Sequence, residues 1–215
     1  MAGRGLIVGI DYTDRYCQAC YYSYRHARPE SVSAGTDVMR YLIPSVLCYD
    51  PGENEWYIGN SAARISEKPG VYMITGLMQN AREGISTEID GTVYPYVKLM
   101  AIFFKKLLEF IQIATSVMTV ENITVTMKDV DQKGKETLEE VFNLLKIPGS
   151  RVKLLSAAES FGYYIINEKT GLWKGGALLF DFNAEGFFVK QLSVNVKRGR
   201  TLIFINEYDF SADFS

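Results

Sequence analysis

Two segments of the chain share one pattern of apolar and polar positions. Near the N-terminus, an apolar run that starts at Leu6 ends at Asp11, and a polar turn and an aromatic-rich run over 16–24 follow it. Near the C-terminus, an apolar run that starts at Ala177 ends at Asp181, and a turn and a second apolar run follow. Each segment predicts a buried strand that ends in an aspartate, a tight turn and a return strand. The repeat suggests two related half-units that face one cleft.

Further strands and helices are predicted between these two segments and after the second one. Runs rich in β-branched and aromatic residues indicate strands, and apolar residues at a spacing of three or four indicate helices. The predicted strands cover 43–49, 55–59, 122–127, 152–155, 186–196 and 201–206, and the predicted helices cover 96–116, 131–147 and 157–167. Residues 63–95 show no regular pattern, so no element is predicted there. A strand, a helix and a second strand over 122–155 predict a parallel unit with a right-handed crossover.

Composition and charge narrow the classes of function. The 215 residues are 47% hydrophobic and 22% charged, which is typical of a soluble globular protein with a real core. The formal net charge of -2 gives no reason to expect nucleic acid as a partner. No apolar run approaches the roughly 20 residues of a membrane span, and the N-terminus lacks a signal-peptide layout. Three cysteines and no export signal favour a cytoplasmic location.

Two candidate metal or redox features are interpreted as structural. Cys17 and Cys20 have the spacing of a metal or redox motif, but residues three apart on a strand point to opposite faces. We therefore expect two inert thiols rather than a shared site. The single histidine, His26, lies in a polar segment with Arg25 and Arg28, and we expect it in a surface loop.

Five segments resemble, in order, those of the actin, heat-shock-chaperone and sugar-kinase ATPase superfamily. The segments are 9–11 with its hairpin, 43–46 together with 57–62, 122–126 with the following helix, 154–160, and 181–189. They are more similar to the chaperone ATPases than to the actins. The resemblance implies an α/β fold: a ribonuclease H-like actin-type ATPase lobe with a mixed five-stranded sheet over 1–174. The first strands of a second lobe follow over 175–215, which suggests a fragment of a longer protein.

The resemblance also implies a nucleotide site between the two hairpins. Its cofactors are ATP or ADP and magnesium, which two aspartates hold through water in this superfamily. The implied cofactor-binding residues are Asp11, Tyr12, Thr13, Asn183, Ala184 and Gly186; the implied metal residues are Asp11 and Asp181; the implied catalytic residues are Glu159 and Asp181. Glu159 would orient the attacking water.

The two turns depart from the superfamily pattern. Side chains of the turn 12–15 and of the turn 183–185 replace the glycines whose open backbone admits phosphate. Asp14 and Glu185 place negative charge beside a phosphate, and like charges a few ångströms apart in a partly desolvated cleft cost several kcal/mol, on the order of 4. The catalytic lysine of the chaperones would fall near Thr75, where this chain has none.

Three hypotheses of function follow. We favour a degenerate nucleotide-binding module with weak or no ATP hydrolysis that binds a protein partner. The alternatives are an active ATP-dependent chaperone-like or kinase-like enzyme, and an actin-like bacterial assembly or division protein. Purely structural roles are the alternative for the site residues. Asp11 and Asp181 are suited to begin a turn, and Glu159 is suited to the first turn of a helix.

Overall fold

A computed structural model of the chain describes residues 5–35, 39–128, 130–168, 177–183, 186–197 and 200–208. The chain divides into two compact units, Met1–Leu154 and Leu155–Ser215. The division after Leu154 precedes the boundary predicted at 174. Each unit is described below by itself.

The described part of the chain begins with six strands and ends with three, and helices are interspersed with strands between them. The strands are β1 (Leu6–Tyr12), β2 (Tyr16–Ser23), β3 (Arg28–Ser31), β4 (Ile43–Pro44), β5 (Leu47–Asp50), β6 (Glu55–Ile58), β7 (Tyr72–Ile74), β8 (Ser86–Ile89), β9 (Thr92–Pro95), β10 (Val120–Met127), β11 (Val152–Ser156), β12 (Ala177–Asn183), β13 (Gly186–Lys197) and β14 (Arg200–Tyr208). The helices are α1 (Gly59–Ile65), α2 (Leu77–Arg82), α3 (Tyr96–Thr115), α4 (Gln132–Leu144) and α5 (Ala157–Glu168).

A mixed sheet forms the centre of the first unit. Its strand order is β11-β10-β1-β2-β3, and β4 pairs with β2 outside this path. Strand β1 runs parallel to β10 and antiparallel to β2. The sheet and its helices confirm the predicted α/β class. It has six strands rather than the expected five, because the short β4 joins it beside β2.

Strand β1 is buried on one face only, which corrects the expectation of a buried strand that ends at Asp11. The strand continues to Tyr12, and its burial alternates along the chain. The buried side chains are those of Leu6, Val8, Ile10 and Tyr12. They join the main hydrophobic core with α3 and α4 residues such as Phe104 and Phe142. Asp11 therefore lies on the opposite, more exposed face, since successive strand residues alternate.

The two long helices agree with the predicted segments because their apolar periodicity extends over several turns. Helix α3 ends at Thr115, and the following Ser116 adopts a left-handed conformation with φ 58°. Helix α4 begins after Asp131, whose side chain accepts a hydrogen bond from the Gly134 amide at 2.8 Å. Neither of these helices, nor any other within the described ranges, is long and apolar enough to cross a membrane.

The predicted strand over 43–49 was wrong as one element. Strand β4 belongs to the central sheet, whereas β5 lies in a separate antiparallel sheet of order β6-β5-β7. Pro44 ends β4 because it has no amide hydrogen for a ladder. The next amide, that of Ser45, donates instead to the Arg15 carbonyl at 3.0 Å. Residue Gly59, predicted as a strand end, begins helix α1.

Residues 63–95, for which no element is predicted, fold into short pieces. They contain the end of α1, which β7, α2, β8 and β9 follow. Each of these four elements has at most six residues. Left-handed glycines such as Gly76 (φ 62°) and Gly91 (φ 73°) separate these pieces. Elements this short contain too few turns to give a readable period.

The second unit contains an antiparallel sheet of order β12-β13-β14, as the strand predictions indicate. Helix α5 contacts β13 and β14. The strand that ends at Asp181 is predicted to be buried, but this prediction is wrong for one of its faces. Leu178 and Phe180 on that face are each 55% exposed. The strand also continues past Asp181 to Asn183.

Candidate functional site

The turn between β1 and β2 is closed by the side chain of Thr13. Its hydroxyl donates to the Tyr16 carbonyl at 2.8 Å. The same oxygen accepts hydrogen bonds from the amides of Arg15, at 3.3 Å, and Tyr16, at 3.1 Å. A phosphate-binding turn instead directs such amides toward its ligand. In this chain the Thr13 hydroxyl already satisfies two of them.

The carboxylate of Asp14 reaches from this turn to the start of helix α2. One oxygen, Oδ1, accepts a hydrogen bond from the Met78 amide at 2.8 Å, and Oδ2 accepts one from the Gln79 amide at 2.9 Å. Helix α2 follows Gly76, which supplies no capping side chain. Asp14 therefore acts as the cap of α2, and its negative charge lies at the favourable end of the helix dipole.

A buried phenol completes this arrangement, which we call the Asp14 cluster: Tyr12, Asp14 and the amides of Met78 and Gln79. The Tyr12 hydroxyl donates to Asp14 Oδ1 at 2.9 Å. Its ring packs against Phe103 and Phe104, with ring centroids 6.0 and 5.6 Å away. Burial, and next the charge of Asp14, raise the pKa of Tyr12 well above its usual value. The phenol therefore keeps its proton and acts as a donor.

Asp11 belongs to a different face of the sheet from Tyr12. It is exposed and pairs in register with Thr126 of β10 and Gln18 of β2. Because Asp11 and Tyr12 are adjacent on a strand, their side chains point to opposite faces. The side chains of Asp11 and Tyr12 thus point away from each other, whereas Tyr12 and Asp14 share a hydrogen bond and Thr13 bonds separately within the turn.

Glu159 forms a capping box at the start of α5. Its Oε2 accepts a hydrogen bond from the Ser156 amide at 2.8 Å, and its own amide donates to Ser156 Oγ at 3.2 Å. This reciprocal pair is the arrangement expected of a serine followed three residues later by a glutamate at a helix start. The observed contacts of Glu159 are those of a helix cap.

Substitutions at Glu159 separate capping from catalysis. We expect Glu159→Ala and Ser156→Ala each to lower the stability of α5 by about 1 kcal/mol, while Glu159→Gln changes it by less than about 0.5 kcal/mol because glutamine can keep the box. Hydrogen exchange of the α5 amides measures this. Equal losses for Glu159→Gln and Glu159→Ala would show that the carboxylate charge has another role.

The C-terminal candidate residues lie in the second unit. In the β12–β13 hairpin, Asp181 pairs with Phe188, and Asn183 pairs with Gly186 at the closing position. Ala184 lies outside the described residues. Asp11 lies in the hairpin of the first unit, and Asp181 lies in the hairpin of the second unit.

In the described part of the chain, no group of three or more histidine, cysteine, aspartate or glutamate side chains comes together. Cys17 pairs with Tyr12 and Cys20 pairs with Gly9, and these positions alternate across the two faces of β2. Burial raises the pKa of Cys17 to about 12 and that of Cys48 to about 11. These thiols stay protonated at neutral pH, as expected for structural cysteines.

Thiol labelling tests this assignment. At pH 8, we expect Cys17 and Cys48 to react at least about 100-fold more slowly in the folded chain than in urea, since only the thiolate is nucleophilic. Alkylation followed by mass spectrometry measures each site. Joint labelling of Cys17 and Cys20 at the unfolded rate, or uptake of one zinc ion per chain, would contradict it.

The sequence indicates the negative charge of Asp14 but not the partners of its carboxylate. The amides that it contacts belong to α2, in the segment without a regular pattern. A signal was present: Thr75 and Gly76 precede the apolar pair Leu77 and Met78, and a glycine before a short helix leaves its first amides uncapped.

The fold and the two hairpins define an α/β protein with a mixed central sheet and a second antiparallel unit. The sequence model of a protein family described as "Family of unknown function (DUF5716) C-terminal" matches residues 28–214. The match covers most of the chain, so the protein belongs to this family. No curated protein matches the chain.

Proposed function

We propose that the chain is a degenerate, actin-like, chaperone-type nucleotide-fold module that does not turn over ATP and serves to bind a partner protein. The order of its elements supports this proposal. Strands β1 to β3, helices α3 and α4, and strands β10 and β11 occur where the resemblance to the ATPase superfamily expects the first lobe. The hairpin from β12 to β13 occurs where it expects the second phosphate motif.

The observation that carries the proposal is the Asp14 cluster. A turn that binds phosphate leaves its amides open, and a helix start nearby can add more donors. In this chain, Thr13 accepts from two turn amides and Asp14 accepts from two amides of α2. These four amide donors already bond to the chain itself.

Electrostatic repulsion by Asp14 also disfavours phosphate binding at this turn. An incoming phosphate would lie beside the Asp14 carboxylate, and two negative charges about 4 Å apart repel by about 4 kcal/mol at an effective dielectric constant of 20. Magnesium could offset part of this repulsion. It would need ligands that converge, and Asp11 lies on the face opposite Tyr12 of the Asp14 cluster.

Phosphate release by the full-length protein with Mg-ATP tests the proposal. We expect no release above the background of an Asp181→Ala variant, because that variant removes the implied metal residue. Turnover that Asp181→Ala abolishes would sink the degenerate-module proposal in favour of an active ATPase. Sedimentation with nucleotide adds a second readout, in which nucleotide-dependent filaments would favour an actin-like assembly protein.

A further inference from the structure

An open cleft of about 310 Å³ lies between helix α4, strand β11 and the segment that joins them. Its described lining residues all belong to the first unit. The apolar side chains that line it are those of Phe142 in α4, Ile147 in the joining segment, and Val152 and Leu154 in β11. Small-molecule sites have volumes of about 300–1,000 Å³ and a mainly apolar lining. The cleft therefore has the size and the lining of a site for a small ligand.

The joining segment is held in place by backbone hydrogen bonds that close the end of α4. The Ile147 amide donates to the Phe142 carbonyl at 3.0 Å, and the Lys146 amide donates to the Asn143 carbonyl at 2.9 Å. Lys146 adopts a left-handed conformation with φ 57°. These two bonds around a left-handed residue form a Schellman motif. The cleft is thus largely formed before a ligand arrives, which reduces the entropy that binding must offset.

Two polar side chains one helical turn apart line the same cleft. Glu139 and Asn143 lie four residues apart on α4, so they share one face of the helix. Among the described residues, neither the Glu139 carboxylate nor the Asn143 side-chain amide makes a hydrogen bond or an ion pair. An apolar cleft with a few convergent polar groups is the usual form of a ligand site. Both side chains can accept hydrogen bonds from a ligand.

The charge of the lining favours a cation. Glu139 is the charged member of the described lining residues. Two basic residues, Arg151 and Lys153, flank Val152 in the sequence but do not belong to the described lining. Val152 and Leu154 line the cleft, so Lys153 between them points to the other face of β11, because successive strand residues alternate. A ligand in the cleft would meet the Glu139 carboxylate first.

We propose that this cleft binds a small molecule with an apolar body and one cationic amine. The amine pairs with the Glu139 carboxylate and donates to the side-chain carbonyl of Asn143. The apolar body covers Val152 and Leu154, which are half-buried in the unliganded chain. This site goes beyond the partner-binding role proposed above and does not depend on it.

Phenylbutylamine provides the probe, because it joins an amine to an apolar body through a flexible chain. A titration of the full-length protein, followed by the amide resonances of Asn143 and Val152, measures its binding. We expect saturable shifts of both resonances with a Kd below about 1 mM. Phenylbutanol has the same body without the charge and should bind about 5-fold more weakly, which is the usual contribution of a partly exposed ion pair.

Glu139→Gln should weaken binding of the amine about 5-fold and leave binding of the alcohol unchanged. Glu140→Gln is the matched control, since Glu140 is the next residue of α4, is exposed and does not belong to the described lining. It should change the affinity for the amine by less than about 2-fold, because an exposed charge outside the cleft contributes little.

Three results would overturn the proposal. The first is the absence of saturable shifts up to about 5 mM phenylbutylamine. The second is equal binding of amine and alcohol that Glu139→Gln does not alter. The third is tighter binding of acetyl-lysine amide than of phenylbutylamine, which would assign the cleft to a lysine side chain of a partner protein. No nucleotide enters these titrations, so any of these results leaves the degenerate-module proposal standing.

Discussion

Replacing Asp14 by alanine should lower the free energy of unfolding of the first unit by about 3 kcal/mol. The substitution removes a charged acceptor of two amides and of the Tyr12 hydroxyl. Hydrogen bonds to charged groups contribute about 1.5–3 kcal/mol, and a buried donor left without its acceptor costs about 1–3 kcal/mol. Losses at a single site are not additive, which keeps the expected total near the upper end of the range for one such bond rather than at the sum over three bonds.

The urea dependence of amide exchange in β1 measures this change for the first unit alone. Asp131→Ala is the control, because Asp131 caps α4 through one amide, that of Gly134, and otherwise makes a partly exposed ion pair with Arg82, which adds little stability. Loss of that cap should cost about 1 kcal/mol. An equal or smaller loss for Asp14→Ala would contradict the assignment of Asp14 as a structural link between the β1–β2 turn and α2. Faster exchange at Met78 and Gln79 should accompany the loss.

Replacing Phe104 by alanine should have the other large effect, a loss of about 4 kcal/mol, because truncating a buried phenylalanine typically costs 3–5 kcal/mol. Phe104 is fully buried, and its ring lies 5.6 Å from Tyr12, 6.0 Å from Phe103 and 5.4 Å from Phe142 between ring centroids. It thus connects β1, α3 and α4. The cavity would also remove support from the Tyr12 ring, which holds the donor of the Asp14 cluster.

Phe104→Leu is the control for cavity size. It keeps most of the buried apolar volume and should cost less than about 1.5 kcal/mol. The same exchange measurement in β1 reports both variants. A loss below about 1 kcal/mol for Phe104→Ala would contradict the central position of this ring in the core. An unchanged exchange rate at Met78 and Gln79 would show that Tyr12 does not depend on Phe104.

The sequence predicted those elements whose patterns are long. Helices α3 and α4 and strand β10 contain enough residues for a period to be read, and Asp131 marks the start of α4 by its capping chemistry. The region from β7 to β9 could not be predicted in the same way. Its helices and strands have at most six residues, and they owe their order to tertiary packing, in which Leu77 and Ile89 are buried.

The candidate site was predictable only in part. The residues of the β1–β2 turn were identified, and so was the loss of glycine there. The hydrogen-bond partners of the Asp14 carboxylate could not be predicted, because they lie on residues 64 or more positions away in the chain. Local sequence also could not tell which role Glu159 takes, since a serine three residues before a glutamate suits both a helix cap and the superfamily motif.

We propose that the chain itself closes the β1–β2 turn and the start of α2 to phosphate. A titration of the full-length protein with Mg-ATP, followed by the amide resonances of Arg15, Tyr16, Met78 and Gln79, tests it most directly. We expect these four resonances to stay in place up to about 5 mM nucleotide, because Thr13 and Asp14 hold their amides. Saturable shifts of all four, lost in an Asp181→Ala variant, would contradict the claim.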